Sequence, residues 1–71
     1  MSMAWETTVD DIVTVCANNG ETVTEEQAEN IIENLDYYKI EKEALHGDDM
    51  LEQLDYAYDE IWEQIVEKNL V

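Results

Sequence analysis

The sequence predicts an all-α fold: a compact bundle of three to four helices with the C-terminal helix longest. Three observations carry this. Proline is absent and glycine occurs twice, at Gly20 and Gly47. That permits long helices and disfavours a turn-rich β fold. Apolar residues recur at spacings of three and four along most of the chain. Each such stretch follows a Thr or Asp suited to cap a helix.

The first stretch runs from about Thr8 to Asn18. Thr8 is its N-cap, and Asp10 and Asp11 stand in the first turn, where negative charge suits the helix dipole. Val9, Ile12, Val13 and Cys16 fall at i, i+3, i+4 and i+7, and predict one apolar face. Asn18-Asn19-Gly20 is a stop signal. The second stretch opens with Thr24-Glu25-Glu26-Gln27, a capping box, with Val23 and Ala28 as the hydrophobic staple. Its expected inner face is Ala28, Ile31, Ile32 and Leu35. The third has Asp36 as N-cap and Tyr37, Ile40, Ala44 and Leu45 as inner face. It is either continuous with the second or kinked near Asn34-Leu35-Asp36, and it ends at His46-Gly47. The fourth is capped by Asp49, with Glu52 completing a capping-box-like pair. Leu51, Leu54, Tyr58, Ile61 and Ile65 form its stripe, widened by Trp62. It is expected to run to about Leu70. No linker, low-complexity segment or internal repeat interrupts residues 1–71, which read as a single acidic helical domain.

With 71 residues the chain buries only about 60% of the surface its unfolded form exposes, so the core is thin. Apolar residues make up 45% of it, too many for a disordered acidic tail. Charge is the unusual feature. Nineteen Asp and Glu face three Lys (Lys39, Lys42, Lys68) and no Arg, for a formal net charge of −16. Self-repulsion on this scale opposes compaction. A single cysteine, Cys16, excludes an internal disulfide and points to a reducing, cytoplasmic location. The first residues, Met1 to Glu6, lack the basic and apolar regions of a signal peptide. No segment approaches the roughly 20 apolar residues of a membrane span, and anionic headgroups would repel the surface.

The residue types that usually carry catalysis are scarce. His46, beside a helix end, reads as a partner for the last carbonyls or the negative end of the dipole. Cys16 reads as a core thiol. Acid pairs such as Asp10-Asp11 or Asp48-Asp49 need a concave pocket for acid–base work, and a bundle this small has little room for one. No nucleophile–base or ligand constellation is present, so no enzyme activity, cofactor or metal is expected. A calcium loop around Gly20 fails on spacing: with Gly20 at loop position six, Val15 and Ala17 fall at ligand positions one and three.

The acidic residues have a pattern. Glu25, Glu29 and Glu33 stand at successive i+4 steps on the second stretch; Asp55, Asp59, Glu63 and Glu67 do so on the fourth. Such like-charge pairs cost a helix roughly 0.2–0.5 kcal/mol each, so stability alone does not explain them. Residues 48 to 67 hold eight acids over roughly 28 Å, about one per 3.6 Å of axis at ~1.5 Å rise. One strand of B-DNA carries one per roughly 3.4 Å. Tyr38 and Tyr56 lie off the best apolar faces, among acids, and suit an interface. Glu25, Glu29, Glu33, Tyr38, Asp55, Tyr56, Asp59 and Glu63 are therefore the candidate partner-binding residues.

From Thr24 to Gln64 the chain resembles small acidic proteins encoded by phages and other mobile elements. The residues concerned are Thr24-Glu25-Glu26-Gln27-Ala28-Glu29, Leu35-Asp36, Ala44-Leu45-His46-Gly47-Asp48-Asp49-Met50, Glu52-Gln53 and Ala57-Tyr58-Asp59-Glu60-Ile61. They cover more than half the chain. Anti-CRISPR proteins, anti-restriction proteins and uracil-glycosylase inhibitors are of this type, and several mimic DNA. The resemblance implies a viral inhibitor, acting in the host cytoplasm, that occupies the basic nucleic-acid-binding surface of a defence effector such as a CRISPR–Cas complex, without binding nucleic acid itself. The residues leave two other readings open. One is a protein–protein interaction or antitoxin-like module for a basic partner, or a homodimer through the fourth stretch. The other is adaptation to high salt, which twelve Glu against seven Asp do not clearly favour.

Overall fold

A computed structural model describes residues 8–71; Trp5, and the signal-peptide expectation drawn from Met1 to Glu6, lie outside the described residues. Four helices and no strand are found among the described residues: α1 (Val9–Asn18), α2 (Glu25–Glu33), α3 (Tyr37–Ala44) and α4 (Met50–Glu67). The C-terminal helix is the longest, at 18 residues. No helix is long and apolar enough to cross a membrane.

Local chemistry sets the ends. The side chains of Thr8, Thr24, Asp36 and Asp49 each accept the amide three residues on. Thr24 and Gln27 close the expected capping box, and Thr8 and Asp11 close a second one. At α4 the box is displaced by one residue: Asp49 accepts from Glu52 N, while Glu52 Oε2 accepts from Asp48 N. α1 and α4 stop in the same way. Gly20 (φ 80°) and Asn69 (φ 58°) turn left-handed, and the next residue, Glu21 or Leu70, donates back to the carbonyl of Cys16 or Ile65. α4 therefore ends at Glu67 rather than continuing to Leu70.

α1 packs against α2 and α4, and α3 packs against α4. The core draws on all four helices: Ile12, Ile31, Ile40, Ile61 and Ile65 are fully buried, joined by Val15, Cys16, Ala28 and Ala57. Each such isoleucine contributes roughly 1.5–3 kcal/mol by leaving water.

Three apolar positions depart from the expected faces. Val13 is 38% exposed and Val15 takes its place in the core, because α1 is contacted from two sides and its buried sector is centred on Ile12. Leu45, expected inside, is 78% exposed at the C-cap of α3. Leu51, expected to head the α4 stripe, is 75% exposed. At ~100° per residue Leu51 lies about 120° around the helix from Ala57, off the sector that Ala57, Glu60, Ile61, Gln64 and Ile65 bury.

α2 and α3 are separate. The chain passes through Asn34 and Leu35 to Asp36, whose backbone is extended (φ −93°, ψ 97°). Breaking the helix frees backbone groups, and three side chains take them up. Tyr37 Oη donates to Ile32 O (2.8 Å), Lys68 Nζ to Asn34 O (2.6 Å), and Gln64 Nε2 to Asp36 O (3.2 Å). Gln64 Oε1 also accepts from Asp36 N at 2.7 Å, so one amide side chain grips both sides of that residue. Gln64 is 2% exposed and its Nε2 further donates to Glu60 Oε2 (2.9 Å). Glu60, 4% exposed, lies 3.8 Å from Lys39 Nζ.

Two stability predictions follow from these contacts. Replacing Gln64 by Leu should lower unfolding free energy by about 1–3 kcal/mol in urea titration, because Asp36 N–H and Glu60 lose a buried partner. An unchanged midpoint would show that the junction closes without it. A Cβ on Gly47 would meet Gln53 N and lie 2.7 Å from the Glu52 carbonyl carbon, whereas one on Gly20 meets nothing within 4 Å. Gly47→Ala should therefore cost about 1–3 kcal/mol through a displaced α3–α4 corner. Gly20→Ala should cost about 1 kcal/mol, through its left-handed backbone alone.

Candidate functional site

All eight candidate partner-binding residues are exposed: Glu25, Glu29, Glu33, Tyr38, Asp55, Tyr56, Asp59 and Glu63. They do not form one surface row. Glu25, Glu29 and Glu33 follow α2, and Tyr38 stands on α3, 76% exposed. On α4, Glu52, Asp55, Tyr56, Asp59, Glu63 and Glu67 all face solvent. At ~100° per residue these positions fall within about 120° of the helix circumference, a single stripe.

The geometry corrects the charge density. Glu60 is withdrawn into the core, and Asp48 and Asp49 precede the helix. Five carboxylates remain on the stripe, spread over roughly 22 Å, or about one per 4.5 Å. The stripe is thus sparser than a B-DNA strand. Its neutralisation is also weak. Lys39 is turned toward Glu60 and Lys68 toward the Asn34 carbonyl, so two of the three lysines are engaged away from the stripe.

The stripe borders two shallow grooves. Asp59, Trp62, Glu63, Val66 and Glu67 line one; Val15, Asn18, Asn19, Asp55, Tyr58 and Asp59 line the other. Asp59 belongs to both. Carboxylates beside the half-buried Trp62 and the exposed Val66 offer charge and apolar contact together, which suits the stem and head of a long cationic side chain.

Other titratable groups have structural places. Tyr58 Oη donates to Asp11 Oδ1 at 2.7 Å, joining α4 to the α1 capping box. Burial and this carboxylate push the Tyr58 phenol up to about 12. Burial, with Glu21 nearby, also raises the thiol of the fully buried Cys16. His46 does not reach the helix-end carbonyls. Its Nε2 lies 4.0 Å from Glu43 Oε2, and its ring centroid 6.1 Å from that of Tyr56. Among the described residues no group of three or more His, Cys, Asp or Glu is arranged to hold a metal ion.

Two residues escaped sequence reasoning. Glu60 counts among the eight acids of residues 48–67 and Gln64 has no sequence-derived role, yet Ala57, Glu60, Ile61, Gln64 and Ile65 form one i, i+3, i+4, i+7, i+8 series. That register was the available signal. No protein-family model, curated protein or solved structure matches the chain.

The Tyr58–Asp11 link gives a pH prediction. The folded phenol ionises near 12 and the unfolded one near 10. Its contribution is therefore complete below pH 10 and is lost as pH rises from 10 to 12. Tyr58→Phe should cost about 0.5–1.5 kcal/mol at neutral pH, measured by urea titration. The variant should also lose less stability than the parent across that alkaline window. Parallel pH curves for the two proteins would rule the link out.

Proposed function

We propose that the chain is a non-enzymatic inhibitor that places the acidic stripe of α4 on a basic nucleic-acid-binding surface and so keeps DNA from it. The reading follows the resemblance to phage-encoded DNA mimics of the anti-CRISPR type, with a CRISPR–Cas effector as the first target class to test. The observation that carries it is the solvent-facing row Glu52, Asp55, Asp59, Glu63 and Glu67, kept free of lysine while Lys39 and Lys68 pair with Glu60 and the Asn34 carbonyl. Charge arranged at a cost to the helix has its return at a cationic surface, where it speeds encounter and sets orientation. A spacing wider than that of DNA favours contact with separate Arg and Lys side chains over a copy of the phosphate ladder.

The test is displacement of a fluorescent DNA duplex from a purified effector, followed by anisotropy at several salt concentrations. The protein should displace DNA, and less effectively as salt rises. The variant Asp55→Asn/Asp59→Asn/Glu63→Gln should bind roughly 0.6–3 kcal/mol more weakly, at about 0.2–1 kcal/mol per exposed pair. It should also fold more stably, by about 0.6–1.5 kcal/mol, because three like-charge pairs (Asp55–Asp59, Asp59–Glu63 and Glu63–Glu67) are removed. DNA and protein bound together on one effector would refute the decoy reading.

A further inference from the structure

We infer that the corner between α3 and α4 is a docking surface for a basic, amphipathic segment of a partner protein, anchored on Leu45, Met50 and Leu51. These are 78%, 78% and 75% exposed, among the most exposed large apolar side chains of the described residues. All three fall within seven positions, on either side of the turn that joins the two helices. Neither capping nor the core accounts for them: the caps are supplied by Asp36 and Asp49, and the buried positions of α4 start at Ala57. An aliphatic cluster held in water in this way marks an interaction site.

The corner is also stiff. Gly47 is buried against the Glu52–Gln53 backbone so closely that no Cβ fits. Its carbonyl accepts from Gln53 Nε2 at 3.5 Å, and the His46 and Tyr56 rings stand beside each other. The three anchors are thus presented in a fixed arrangement, which lowers the ordering cost of binding.

Charge selects the occupant. Asp48, Asp49 and Glu52 stand between and beside these residues along the chain and are exposed. The complement is a segment with aliphatic side chains on one face and Lys or Arg around them. A second copy of this chain would bring −16 against −16. Anions are opposed by the same acids, and Asp49 and Glu52 already take amides at the start of α4. The inference rests on the proposed function for the sign of the partner's charge. It adds that the partner contributes apolar side chains as well, and so is recognised as a protein rather than as a bare phosphate-binding groove.

The experiment titrates the full chain with two synthetic peptides of equal length and equal positive charge. One is a Leu/Lys amphipathic helix; in the other every Leu is Ser. Calorimetry at near-physiological salt should give at least ~10-fold tighter binding to the Leu/Lys peptide. Amide shift changes in the wild-type chain should centre on residues 45–56. In Leu45→Ser/Met50→Ser/Leu51→Ser the two peptides should bind within about twofold of each other, with helix content unchanged by circular dichroism. Should the triple variant unfold, the shift mapping on the wild-type chain still decides. Equal affinity of the wild type for both peptides, or shifts centred on Trp62 and Val66, overturns this inference and leaves the acidic-stripe reading standing. Binding of neither peptide overturns both. Self-association that the triple variant abolishes replaces the basic partner with a second copy.

Discussion

The grip of Gln64 on Asp36 is the contact on which the rest of the fold depends. It joins positions 28 residues apart in sequence, satisfies both backbone groups of the residue that separates α2 from α3, and continues through Glu60 to Lys39. With the junction held, α2 can turn toward α1 while α3 lies along α4. A continuous α2–α3 helix could not send its two halves to different partners. In a domain with so thin a core, a satisfied polar network of this kind specifies one arrangement among several that would bury similar apolar area.

The acids divide by task. Asp11, Asp36, Asp49 and Glu52 cap helix starts, and Glu60 belongs to the buried network. There, negative charge meets the positive end of a helix dipole or a buried amide and stabilises the fold. Asp11 does this twice, closing its own capping box with one oxygen and holding Tyr58 with the other. Glu29, Glu33, Asp55, Asp59 and Glu63 have no such role. They stand exposed at repulsive spacing, and two of the three lysines are engaged elsewhere. Folding thus explains part of the acidity and leaves a remainder on two helix surfaces, the part for which a cationic partner is proposed. The apolar corner at Leu45, Met50 and Leu51 is a second remainder of the same kind: side chains of a type suited to the core, left outside it.

Much of the fold was legible in the sequence because caps and stops are local. Thr8, Thr24, Asp36 and Asp49 bond amides three residues away, so spacing along the chain suffices to find them. The left-handed turn at Gly20 is equally local. The inner faces of α2 and of the C-terminal part of α4 followed from periodicity, since each meets one layer of neighbours. The exposed acids of α2 and α4 were legible as candidate site residues because no apolar register claims them.

What the sequence by itself determined is the set of helices, where most begin and end, and the excess of negative charge. Each is fixed by residues within one or two turns of each other or by composition. The tertiary structure alone decided that Val15 replaces Val13 in the core, that Leu45 and Leu51 lie outside it, that Glu60 leaves the acidic surface, and that α2 and α3 part at Asp36. Each of these depends on which helix comes alongside and how far its side chains reach. The sector of α4 that α1 and α3 cover leaves Leu51 outside it, and an amide from residue 64 satisfies the backbone at the helix break of residue 36.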